Sequence, residues 1–150
     1  MTAPLYLPPN MEALVSEFLR DQPELGEHIT TPATGEVRVY TALPKERIFP
    51  LVRVTQLLDT PAGSPLWAIA YEIQVDAWGG SKADAFRIAN LCRALIDSRL
   101  VGEYPGRGVV NGSTPGALLD LPDEDFSPAK PRFLFTSTVH ARPLATVATS

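Results

Sequence analysis

Two carboxylates, Glu72 and Asp76, stand four residues apart in the run YEIQVDAW, and on an extended strand that spacing puts both on one face. Such a pair could do general acid–base work. Together with the acidic turn Asp120, Asp123, Glu124 and Asp125, it could also hold a hard cation such as Mg2+. A solvated strand face and a solvated turn account for the same residues with fewer requirements. Cys92 could act as a nucleophile with His140 as its base, but it falls in the apolar stripe of a helix, where a cysteine behaves as a small hydrophobe. His28 and His140 are the only histidines, so no ligand set for a metal emerges, and neither a metal nor a cofactor is expected. Gly79-Gly80-Ser81 ahead of a helix could offer backbone amides to an anion. It lacks the lysine of a phosphate loop and the spaced glycines of a dinucleotide fingerprint.

The aromatic residues divide by strand alternation. Trp67 and Tyr71 fall with Ile69, Ile73, Val75 and Ala77 on one face, while Trp78 falls with Glu72, Gln74 and Asp76 on the other. Trp78 is therefore the aromatic side chain best placed to meet a partner, with Glu72 and Asp76 beside it as further interface candidates.

The elements that carry these residues are well punctuated. Asn10 is a good N-cap, and Met11, Leu14, Val15 and Phe18 follow at helical spacing, predicting a helix over 11–20 that Pro23 stops, with one extra turn possible at 23–26. Strands are predicted over 37–42, 49–58 and 66–78, divided by turns containing Pro44 and the Pro61–Pro65 cluster. Ser81 with Asp84 three residues on is a variant capping box. It opens a helix to Arg99 whose Ala85, Ile88, Ala89, Cys92, Leu95 and Ile96 form a stripe to lie across the sheet. A long irregular strand over 108–121, a Pro- and Asp-rich turn and a strand over 132–140 complete the order. The expectation is an α+β fold, a mainly antiparallel or mixed sheet of about five strands with two helices on one face. Residues 1–150 read as a single domain with flexible ends at 1–9 and 141–150.

Composition excludes several classes. A net charge of −4 is contrary to a protein that grips nucleic acid through a basic face, because neutralising phosphates requires excess Lys and Arg. A lone cysteine cannot form an internal disulfide, so a reducing cytoplasm suffices. No run approaches the roughly 20 apolar residues that span a bilayer, and residues 1–10 do not read as a signal peptide, so no membrane partner is expected. The 15 prolines, about twice the usual share, gather between hydrophobic runs and mark loops and strand ends.

With these residues in place, the runs FPLVRVTQLLDTPAG, IQVDAWGGSKADAFRIANLCRAL and RFLFTSTVHARP resemble the tail-terminator, or tail-completion, proteins of long-tailed bacteriophages (siphophages). The helix MEALVSEFLR, the strand VYTALP and the strand end VDAWGG leading into a helix occur in that family's order, and the resemblance covers residues 11–143. It implies a non-enzymatic virion protein, assembled in the host cytoplasm and placed at the head-proximal end of the tail. Copies would form a hexameric ring that stops the major tail tube protein from polymerising further and meets the head-completion protein, with DNA only as cargo passing through the lumen. An acidic lumen would repel that DNA and keep it from sticking. Family members have no catalytic residues to carry over. The alternatives are a head–tail connector or neck subunit and, from another class, a small ligand-binding module; a hydrolase would need a convergent set of acids, bases or metal ligands that the chain does not display.

Overall fold

In the computed structural model, residues 7–59 and 69–143 are described. Asn10 caps helix α1 (Met11–Arg20), its side chain accepting from the Ala13 amide at 3.1 Å, and the apolar spacing turns Met11, Leu14, Val15, Phe18 and Leu19 inward. Pro23 stops that helix and starts another: α2 (Pro23–Ile29) has proline in its first turn, where a missing N–H costs nothing. The extra turn expected at 23–26 is thus a third helix.

Two short strands, β1 (Thr30–Thr31) and β2 (Glu36–Val37), form a hairpin of their own. The main sheet contains β3 (Val39–Tyr40), β4 (Leu51–Asp59), β5 (Ile69–Trp78), β6 (Gly102–Tyr104), β7 (Gly108–Pro115), β8 (Leu119–Asp120) and β9 (Arg132–Arg142). Its order is β3-β4-β5-β9-β7-β6, with β8 also beside β9; β3 runs parallel to β4 and every other pair is antiparallel.

The α+β mixed sheet is as the sequence predicts, but it has seven strands rather than about five. The strand expected over 37–42 is split between hairpin and sheet, because Arg38 turns inward: it donates from Nε to the Pro50 carbonyl and from a terminal nitrogen to Thr31 Oγ1, both at 2.8 Å. The strand expected over 108–121 divides into β7, which ends at Pro115, and β8, which resumes pairing with β9 at Leu119. β6 escapes a periodicity search because three residues cannot establish a period.

Helix α3 (Lys82–Arg99) begins where Ser81 accepts from the Asp84 amide at 3.2 Å. It packs on β5, β9 and β7, α1 packs on β3, β4 and β5, and α2 joins the two helices. One continuous core results, from Leu14 and Leu19 through Ile73 and Val75 to Ile88, Ile96 and Phe135. The β5–α3 turn is held tightly: a Cβ on Gly79 would lie 2.4 Å from the Ala85 nitrogen, so this position accepts only glycine.

A few residues of each expected end are described. Pro9 is buried against Gly108, where an added Cβ would come within 2.6 Å of the proline ring. Ala141 and Arg142 belong to β9, paired with Ile69 and Val109. Residues 1–6 and 144–150 of the two expected flexible ends, and Trp67, lie outside the described residues.

Candidate functional site

The helices cover one face of the sheet, so a surface for chemistry or for a partner has to come from the other. On β5 that second face carries Glu72, Gln74, Asp76 and Trp78; register adds Leu51 and Arg53 from β4, and Arg132, Leu134, Thr136 and Thr138 from β9.

At the Trp78 end this face is not open. Residues 122–131 fold over it, and Trp78 Nε1 donates to Asp123 Oδ2 at 2.8 Å. The Asp123 backbone pairs in both directions with Lys130, which stands over the Phe49 ring at 4.9 Å. Phe49 meets Phe126 edge to face at 5.7 Å, and Arg47 covers Phe126. Arg53 and Arg132 lie over the Trp78 ring at 5.3 and 5.8 Å. Cations over aromatic faces are individually worth about 0.5–1 kcal/mol where exposed, so the set works chiefly by filling the space above the tryptophan.

The interface candidates must be revised accordingly. Trp78 is 1% exposed and Asp76 fully buried, so neither is presented at the surface of the single chain. Strand alternation assigns a residue to a face but says nothing of what a distant loop lays over it. Asp76 accepts from Gln74 Nε2 at 3.0 and 3.2 Å and pairs with Arg53 at 3.2 Å. Glu72, half-buried, remains at the open end of the face. Four residues of strand separate the two carboxylates by roughly 13 Å along the chain, too far to share one ion. The acidic turn also disperses: Asp120 pairs with Lys82 at 3.1 Å, Asp123 is buried, and Glu124 and Asp125 are exposed. Among the described residues no cluster of three His, Cys, Asp or Glu side chains is placed to hold a metal.

Cys92 and His140 are on opposite sides of the sheet. Cys92 is buried in the helix layer, where desolvation pushes its thiol up to about 12, while His140 lies exposed on the far face of β9. A nucleophile–base pair between them is excluded by the sheet itself. Gly79-Gly80-Ser81 is a packing turn. The groove of roughly 410 Å3 between α1 and the β6–β7 turn is open and crossed by the ion pair of Arg107 with Glu17. No described helix is long and apolar enough to cross a membrane.

Arg53 and Arg132 could not be singled out from the sequence, and Asp123 stood out only as part of an acidic turn, since the significance of all three comes from converging on Trp78 across 25, 54 and 45 residues of chain. The exposed leucines were equally unmarked: Leu57 and Leu58 at a bulge in β4, and Leu119 and Leu121 around β8.

No protein-family model matches the sequence, and no curated protein matches it. Among solved structures, the chain is similar to one in the virion of a native gene transfer agent particle, with a TM-score of 0.58 and 18% identity, over 87% of this chain and 93% of that one. The two chains share a fold. At that identity the likeness concerns architecture, and because it takes in nearly the whole of both chains it includes the sheet and its helix layer alike.

Burial raises the Asp123 carboxyl, but the Trp78 N–H, the Asp125 amide and the charges of Arg132 and Arg47 outweigh it and hold the group below its ordinary value. A carboxyl depressed in the folded state contributes stability that is present above its unfolded value, about 4, and is lost as pH falls through the folded value. Thermal melts followed by circular dichroism should therefore hold steady from pH 7 to 5 and fall below about pH 4. Asp123→Asn should flatten part of that fall; an unchanged pH profile in the variant would show that Asp123 carries none of it.

Proposed function

We propose that this chain is a structural subunit of a phage-type virion, and specifically a tail terminator that assembles into a hexameric ring on the end of the tail tube, stops tube polymerisation and presents a surface for head joining. The observation that carries the reading is the likeness, along nearly the full length of both chains, to a chain in a gene transfer agent virion. The order of the sequence runs that resemble tail terminators supports the finer assignment. In this reading the partners are other copies of the chain, the major tail tube protein and the head-completion protein. The net charge of −4 suits a lumen through which DNA passes without adhering. A head–tail connector or neck subunit is the alternative that rests on the same likeness.

Native mass spectrometry or light scattering across protein concentration, with negative-stain imaging of any large species, tests the proposal. A closed ring of one repeated interface is expected, alone or after addition of tail tubes, with the ring seated on the tube end. A single-chain mass both alone and with tubes would remove the terminator reading. Binding to head components without binding to tubes would favour the connector.

A further inference from the structure

The chain has asparagine at positions 10, 90 and 111, and the structure secures two of them. Asn10 caps α1 by accepting from the Ala13 amide at 3.1 Å, and Asn90 in α3 accepts from Arg93 at 3.2 Å. Asn111 is exposed, and no hydrogen bond holds its side chain among the described residues. It also stands where the ladder is out of step. On the inner side of β7, Val110 faces Ala141 and Gly112 faces His140, which leaves Asn111 without a cross-strand partner. On the outer side β6 begins at Gly102, opposite Val110, and no described strand lies beyond it. An extra residue at a register shift departs from the regular extended backbone that keeps a strand's amides in place. The next residue is glycine: no side chain shields the Gly112 main-chain nitrogen, and a Cβ there would meet nothing within 4 Å.

We propose that Asn111–Gly112 is a modification site at which the folded chain deamidates itself. The Gly112 main-chain nitrogen attacks Cγ of Asn111, and the new C–N bond closes a succinimide ring, a step favoured because both groups belong to adjacent residues of one chain. The Asn111 side-chain nitrogen leaves as ammonia, taking the proton that the Gly112 nitrogen gives up. Water then adds to one of the two ring carbonyls and the C–N bond to that carbonyl breaks, giving aspartate or isoaspartate. One water is consumed and one ammonia released, with no oxidant, reductant or second protein. The rate rises with pH, because the attacking nitrogen must lose its proton. The product adds one negative charge to the net −4, in the stretch of β7 that register places beside His140 and Arg142 of β9. Isoaspartate also inserts a methylene group into the main chain at the register shift. The conversion does not depend on assembly, so it stands or falls apart from the virion reading.

The test uses the full chain, incubated in mildly alkaline buffer both folded and unfolded in urea, then digested with trypsin, which puts the three asparagines in separate peptides. Mass spectrometry should find a gain of about one dalton, the exchange of an amide nitrogen for oxygen, in the peptide that contains Asn111. Isoaspartate should be among the products. In the folded chain, Asn111 should convert within about tenfold of its unfolded rate and at least about tenfold faster than Asn10 and Asn90, a difference of roughly 1.4 kcal/mol in barrier. Gly112→Ala, whose Cβ has open space, should leave circular dichroism unchanged and slow the conversion about tenfold by crowding the attacking nitrogen. Asn111 left intact in the folded chain while the unfolded chain converts would overturn the proposal, by showing that the strand withholds Cγ from the nitrogen. Equal conversion at all three asparagines, or Gly112→Ala converting at the wild-type rate, would overturn it as well.

Discussion

Trp78→Ala should cost about 3–5 kcal/mol, the range for emptying a large aromatic site that cannot collapse. The indole is 1% exposed, lies beneath two guanidinium groups and donates to a buried carboxylate. Its removal therefore opens a cavity and also leaves Asp123 without its side-chain donor. In a chain of this length the loss corresponds to a fall in Tm of about 8–15 °C, measurable by circular dichroism. Trp78→Phe retains most of the buried area while losing the N–H, and should recover more than half of the loss. If alanine and phenylalanine both changed Tm by less than 2 °C or so, against the several degrees expected of a core aromatic, residues 122–131 would not be packed on this ring as described.

Gly79→Ala should have the next largest effect, about 3 kcal/mol. Its methyl group would meet backbone, the Ala85 nitrogen at 2.4 Å and the Ser81 carbonyl at 2.9 Å, and overpacking that no side-chain rotation can relieve lies at the upper end of the usual 1–3 kcal/mol. Gly80→Ala is the control, because nothing lies within 4 Å of a Cβ there and its change should stay within about 0.5 kcal/mol. Urea unfolding of the pair separates packing from backbone flexibility. Equal losses at both positions would mean that the turn needs glycine conformations rather than close approach.

The same dipeptide shows how far local pattern reaches. Gly-Gly-Ser ahead of an amphipathic run announces a strand end and a helix start, and the structure has both, since a cap and a periodic stripe are written within a few residues of one another. That Gly79 is there for a 2.4 Å approach, while Gly80 has open space, depends on how β5 and α3 dock, which no local pattern encodes. Strand alternation likewise divided β5 correctly into an apolar face and a mixed one. It could not show that Trp78 and Asp76 would be covered, because Trp78 is covered by Asp123 and Arg132, which the β9 pairing brings over, and Asp76 is paired with Arg53 of β4.

What the sequence determined by itself was local: the capped helices α1 and α3, the faces of β5, the α+β class and a charge unsuited to gripping nucleic acid. Each follows from residues close enough in the chain to act through backbone geometry or periodicity. Tertiary structure alone decided the seven-strand order, the parallel β3–β4 edge, the separation of Cys92 from His140 across the sheet and the sealing of one end of the second face. These features arise from pairings between residues tens of positions apart, where register and packing, rather than propensity, select the partner.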